Sequence, residues 1–321
     1  MRPIVGVMQR VRLKAVITAI VAVSLLASCS RSVETEVTKE TTVATTTTTA
    51  VTKRSPTPVP DLPPFEYEYT VAAPTVSKLE PGSRTREVVF YRDGNPIDGK
   101  ITVPEGKGPF KTIIISNGLY ASLGRYSGKA LRYSDNDYAV IEFQFQNAVN
   151  PPPDYSDPEY LGDFIYEQVL DLYAVIDSMT YFPEVDLSNI YLYGHSMGGL
   201  VCSYAGTYRQ NEIKGLLLVD PSFYAAERMN FEHKETITTD IYPLISQCYI
   251  PAVIITGTEG SFGEDPHFFD EARASLPIVE YVVIEGANHR MDGAASDQVV
   301  DLSVGVMKEW DVKYGHNSPE G

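Results

Sequence analysis

The sequence predicts an α/β fold: a mostly parallel sheet with helices on both faces. Three observations predict it. Short apolar runs rich in Ile, Val and Tyr recur at 112–116, 138–145, 189–193, 215–219, 252–256 and 281–285. Such near-continuous runs suit strands buried on both faces. Segments with helical spacing alternate with them, and strand–helix alternation is the signature of a parallel sheet covered on both sides. A glycine-rich turn, residues 194–199, joins one apolar run directly to a helical segment.

The chain starts with a different kind of segment. Arg2, Arg10, Arg12 and Lys14 form a basic head, followed by an uncharged apolar run over 15–27. That run is shorter than the roughly 20 residues a bilayer-spanning helix needs, and the order of features is that of a secretory signal. Leu26-Ala27-Ser28-Cys29 resembles a bacterial lipobox, which makes residues 1–28 a lipoprotein signal peptide and Cys29 the lipidated N-terminus. The localisation expected is the extracytoplasmic face of the cell membrane, held by a lipid anchor. Residues 29–64 contain Thr45 to Thr49 and Pro56, Pro58, Pro60, Pro63 and Pro64, with little to build a core. They read as a disordered Thr/Pro-rich stalk.

Residues 65–315 have the composition and length of one globular domain, leaving 316–321 as a tail. Asp93-Gly94-Asn95 between the runs 87–91 and 100–103 signals a hairpin. Helical segments are expected over 163–179, where Phe164, Val169, Leu172, Val175, Ile176 and Met179 share helical spacing, and over 200–208, 268–276 and 294–310. Residues 221–249 contain Phe223, Tyr224, Met229, Phe231 and Tyr242 and read as a small aromatic-walled lid or as a plain surface excursion.

The formal net charge of −16 becomes −20 once the four cations of residues 1–28 are removed. Such a surface repels phosphate backbones, so nucleic acid is not an expected partner. No phosphate loop, dinucleotide fingerprint, zinc-type Cys pair or His-Glu-x-x-His helix occurs, so neither cofactor nor metal is expected. Cys202 and Cys248 lie in apolar surroundings, where a disulfide and two buried free thiols are both open.

Gly194-His195-Ser196-Met197-Gly198-Gly199 contains Gly-x-Ser-x-Gly in the strand–turn–helix setting of a nucleophile elbow. A Ser hydroxyl must be lifted clear of the backbone to reach a carbonyl carbon. The tight turn that does so leaves no room for flanking side chains, hence Gly194 and Gly198. Ser196 is therefore the candidate nucleophile, and the Met197 N–H at the helix start an oxyanion donor. Of five histidines, His289 follows the last apolar run by a three-residue loop, at the carboxyl end of a strand where α/β sites lie, and is the candidate base. His195 should point away from Ser196; His233, His267 and His316 fall in polar or helix-start positions.

The acid should lie past the run 252–256. Glu259, two residues past Gly257, is favoured because strand-end placement is a geometric requirement. Asp265 is the alternative, although its place before Pro266 and a helical run explains it as an N-cap. Asp220, past the preceding strand, is a third and more remote choice.

Residues 194–199, Ser116-Asn117-Gly118-Leu119, Ile254-Ile255-Thr256-Gly257 and Ile284 to His289 together resemble the α/β-hydrolase superfamily over about residues 85–312. Within it the chain is most similar to bacterial cinnamoyl/feruloyl-type esterases, monoacylglycerol lipases and S33-type serine peptidases. The resemblance implies Ser196 as nucleophile, His289 as base, and an oxyanion hole made by the N–H groups of Met197 and Leu119. It departs from the family at Asn117-Gly118, where His-Gly is frequent, in lacking a His-Gly-Gly-Gly run, and at 146–153, which replaces a Gly-x-Gly-x-Ser turn. The function implied is an extracytoplasmic serine hydrolase cleaving carboxylic esters through an acyl-enzyme, acting on a small-molecule or oligomeric ester. The alternatives are a peptidase or amidase with the same triad, and an inactive binding lipoprotein.

Overall fold

A computed structural model describes residues 51–52, 67–148, 158–224, 241–259, 265 and 267–315. The signal segment, Cys29, most of the stalk, residues 225–240 of the expected lid, His233 and the tail lie outside the described residues.

Among the described residues ten strands form one sheet in the order β1-β2-β3-β4-β6-β5-β7-β8-β9-β10. They are β1 (Val51–Thr52), β2 (Thr70–Val76), β3 (Thr85–Arg92), β4 (Asn95–Thr102), β5 (Phe110–Ser116), β6 (Ala139–Phe143), β7 (Val185–His195), β8 (Ile213–Val219), β9 (Ala252–Gly257) and β10 (Val279–Ile284). Pairings from β1 through β4 to β6 are antiparallel. Those among β6, β5, β7, β8, β9 and β10 are parallel. The expected hairpin is β3–β4. Asp93 and Gly94 have φ of 53° and 77°, the left-handed pair that a two-residue type I′ turn demands.

The helices are α1 (Ser127–Ser134), α2 (Pro158–Ser178), α3 (Met197–Tyr208), α4 (Ile241–Ile245), α5 (Asp270–Ser275) and α6 (Ala294–Tyr314). Two cores flank the sheet, and strand residues alternate between them. Ile114, Leu192, Leu216, Leu218 and Ile254 join the core with α2, α3, α4 and α5 residues. Ile113, Ile115, Tyr191, Tyr193, Leu217, Val219, Val253 and Ile255 join the core with α1 and α6 residues. Both faces of each central strand are thus apolar, which is why the runs show no polar alternation.

Three elements differ from expectation. β2 carries Pro74 and a register shift between Ala72 and Thr75, features that hide a strand from pattern reading. α1 is eight residues long and half polar, too short to show a period. In the lid region Phe223 is buried, packing edge-on to Phe269 with ring centroids 6.5 Å apart, so it belongs to the core and is not a free wall. Cys202 and Cys248 are both buried free thiols, and burial pushes them up to about 12 and about 11.

Candidate active site

β7 ends at His195 and α3 starts at Met197, leaving Ser196 alone in the turn with φ 54° and ψ −121°. A non-glycine residue held there costs about 1–3 kcal/mol, sustained only when its surroundings enforce it. Here they do. The Ser196 N–H donates to Val219 O at 3.0 Å, and Ser196 O accepts from the N–H groups of Gly199 at 2.9 Å and Ser222 at 3.0 Å. A Cβ on Gly198 would stand 2.1 Å from Ser116 O, so the elbow presses against the end of β5 with no space for a side chain.

His289 Nε2 lies 3.0 Å from Ser196 Oγ. On the other side of the ring, His289 Nδ1 hydrogen-bonds to Asp220 Oδ2. The Asp220 carboxylate is buried, and its Oδ1 accepts from Thr256 Oγ1 at 2.6 Å. Because a carboxylate only accepts, Nδ1 carries the proton and Nε2 presents a lone pair to Ser196. Ser196, His289 and Asp220 thus have the geometry of a Ser-His-acid triad.

The acid expected at Glu259 is corrected to Asp220, and Asp265 is not its substitute. Register supplies the reason. His195 pairs with Val219 on the adjacent strand, and Val219 with Ile255 one strand further on. Ser196 and Asp220 therefore leave neighbouring strands at the same level, about 4.8 Å apart in the sheet, whereas the β9 end is twice as far. Asp220 turns sharply at φ 46° to deliver its carboxylate. Glu259 is exposed. Its N–H bonds to Ala287 O at 2.8 Å, and Thr258 Oγ1 accepts from Gly286 N at 2.8 Å, so this segment braces the loop that carries His289 through its backbone and Thr258. Asp265 Oδ1 accepts from His267 N at 2.9 Å, capping the turn before α5. Asp265 is therefore not the expected helix N-cap: α5 starts at Asp270, its N-cap position is Phe269, and Asp265 braces the turn ahead of it.

His195 sits in a buried bridge. Its Nε2 donates to the His289 carbonyl at 2.6 Å, which leaves Nδ1 to accept from Tyr126 Oη at 2.9 Å. Burial, the largest influence, pulls the imidazole down to about 4, so it is neutral at pH 7. Tyr126 is pushed up to about 12, again chiefly by burial. Hydrogen bonds thus run from Tyr126, just before α1, through His195 to the backbone of His289. The loop after β5 passes close to Ser196, since a Cβ on Gly118 would lie 3.3 Å from Ser196 Cβ. Leu119, which the family resemblance offers as an oxyanion donor, is the next residue along this loop and is partly buried against the core. Asn117 anchors this loop by donating from Nδ2 to Phe143 O at 3.0 Å.

α1 also fastens the segment after His289. Lys129 Nζ donates to Ser296 Oγ at 2.6 Å, and burial lowers its ammonium to about 8. Arg125 pairs with Asp292 at 2.6 Å.

No protein-family model and no curated protein matches the chain. Solved structures do. Est1E from Butyrivibrio proteoclasticus, with ferulic acid bound, superposes with a TM-score of 0.55 at 16% identity, over 68% of this chain and 97% of that one. A dienelactone hydrolase from Anabaena variabilis gives 0.52 at 15% identity, over 72% and 98%. An acetyl xylan esterase from a Paenibacillus species gives 0.54 at 18% identity, over 73% and 87%.

The chain has the α/β-hydrolase fold.

Within this fold Ser196 and His289 meet across the carboxyl ends of β7 and β10, and Met197 follows Ser196 at the start of α3. Glu259 and Asp265 stand outside the group. Sequence reasoning missed Ser222, whose Oγ lies 3.0 Å from Ser196 Oγ, and the His195–Tyr126 bridge. Asp220 had a signal: it ends an apolar run followed at once by Pro-Ser, a tight strand exit. Among the described residues no group of three His, Cys, Asp or Glu could hold a metal ion, and no helix is long and apolar enough to cross a membrane.

Proposed function

We propose that the protein is a serine hydrolase that cleaves carboxylic esters through an acyl-enzyme on Ser196. One observation carries the reading: Ser196 Oγ, lifted on a positive-φ elbow, faces His289 Nε2 at 3.0 Å while His289 Nδ1 is committed to a buried carboxylate. In acylation, Ser196 gives its proton to His289 Nε2 as Oγ bonds to the ester carbonyl carbon. The oxyanion is received by the N–H groups of Met197 and Leu119. Collapse breaks the bond to the alcohol, which leaves with the proton from His289. Water then repeats the sequence on the acyl-enzyme, with His289 as base and then acid. Asp220 keeps the imidazole in the working tautomer and balances the imidazolium.

The site works on the outside of the cell on this proposal, with the domain tethered through Cys29 to the membrane. The basic head, short apolar run and Cys29 support that placement.

A fluorophosphonate probe and a panel of p-nitrophenyl esters and aminoacyl amides test the reaction class. The wild-type protein should be labelled at Ser196 and should turn over esters in preference to amides. Ser196→Ala should abolish labelling and lower kcat by about 10⁴-fold or more, leaving binding and oxyanion contributions. Turnover retained in that variant would refute the nucleophile.

A further inference from the structure

The segment that supplies the acid also places a second hydroxyl on the nucleophile. Ser222 is two residues past Asp220 and is buried. Its N–H donates to Ser196 O at 3.0 Å, and its Oγ lies 3.0 Å from Ser196 Oγ. The direction of the second bond follows from the triad. His289 Nδ1 holds its proton toward Asp220, so Nε2 takes the single hydroxyl hydrogen of Ser196. Ser196 Oγ then has only lone pairs left, and the hydrogen between the two hydroxyls belongs to Ser222.

We infer that Ser222 is a further catalytic residue, a fixed hydrogen-bond donor to the Ser196 oxygen whose main effect is to speed breakdown of the acyl-enzyme. The inference rests on the reading of Ser196 as nucleophile. The charge on Oγ differs between the two half-reactions. In acylation Oγ begins as a hydroxyl that already accepts the bond, and it spends a lone pair in attacking carbon, so a donor there gives little net help. In the acyl-enzyme Oγ is an ester oxygen, a poor acceptor. When the water adduct collapses, the carbon–Oγ bond breaks, its electron pair goes to Oγ, and His289 Nε2 delivers the proton that restores the hydroxyl. Ser222 keeps its own proton throughout. Its bond is therefore strongest where Oγ carries developing negative charge, which is the condition for accelerating a step. A donor to a charged oxygen held in a buried site is among the stronger hydrogen bonds.

Ser222→Ala removes the donor with little change in volume. With p-nitrophenyl esters, whose good leaving group makes acylation fast, kcat should fall roughly tenfold. KM should fall in parallel, because both follow the deacylation rate, so kcat/KM should stay within about threefold of wild type. The rate of fluorophosphonate labelling, which reports the folded, acylation-competent site, should be unchanged. Intact mass spectrometry during turnover should show acyl-enzyme accumulating in the variant. Ser222→Ala with wild-type kcat would overturn the inference, as would a loss of kcat at unchanged KM with slower labelling, the pattern of a disturbed elbow. A wild-type protein unlabelled at Ser196 would overturn it differently, by removing the serine-hydrolase reading beneath it.

Discussion

Asp220→Asn exchanges one oxygen of a buried carboxylate for an NH₂ group and leaves shape nearly unchanged, so its effect is read from hydrogen bonds alone. Thr256 Oγ1 stands 2.6 Å from Oδ1 and His289 Nδ1 faces Oδ2. If the amide oxygen stays toward the Thr256 hydroxyl, its NH₂ faces His289 Nδ1. That nitrogen must then accept, the ring proton moves to Nε2, and Nε2 loses the lone pair that takes the Ser196 proton. If the amide turns over, His289 keeps its tautomer, but the NH₂ meets the Thr256 hydroxyl, which must give up its own donation in a site sealed from water. Neither orientation balances the imidazolium. A wrong tautomer of this kind costs a serine hydrolase about 10⁴-fold in kcat, equivalent to about 5.5 kcal/mol of barrier. Folding should change little, because the amide leaves no cavity and no unpaired charge. The assay is p-nitrophenyl ester hydrolysis with thermal unfolding of the same samples, alongside Glu259→Gln and Asp265→Asn. Those two should keep kcat within about threefold of wild type. An Asp220→Asn protein within tenfold of wild type would refute the argument, as would Glu259→Gln losing as much activity.

Two other expectations follow from the structure and sequence. His195 has a folded-state value of about 4, below the ordinary 6.5 of an imidazole. The unfolded chain therefore takes up the proton first, and stability should decline as pH falls through the window from about 6.5 to 4, by on the order of 3 kcal/mol from this residue. His195→Gln, whose amide can still donate to the His289 carbonyl, should show a shallower decline in urea unfolding between pH 7 and 4.5; an identical slope would count against the bridge. For the membrane tether, expression with the native leader should give a protein that partitions into detergent, and Cys29→Ser should move it to the soluble fraction or block its processing. A Cys29→Ser protein that stays on the membrane unchanged would refute lipidation there.

The parts of the site that could be read from the sequence are those made by neighbours in the chain. The elbow is one: Gly194, Ser196 and Gly198 are the residues that a strand–turn–helix junction with no lateral room must use, and 2.1 Å of space at Gly198 leaves no alternative. His289 is another, set by a short loop on the last strand. The central strands and the β3–β4 hairpin were legible for the same reason, since apolar runs and an Asp-Gly turn are local signals. β2, with its proline and register shift, and the short α1 were not, because their stability comes from partners rather than pattern.

The acid is where local reading stopped. Glu259 and Asp220 both sit just past strand ends, and linear order, which favoured Glu259, does not say which strand end faces the base. What separates them is that β8, not β9, lies against β7, with His195 level with Val219, so the residue after Val219 is the one that can reach across to the base. Ser222 and Tyr126 were hidden by the same limit: each meets its partner, Ser196 or His195, from a distant stretch of chain. The sequence by itself determined the turn at Ser196, the loop at His289 and the strands that carry them, because backbone sterics and burial act over a few residues. Sheet order and register, which arise only when those strands pack, decided which carboxylate and which hydroxyls complete the site.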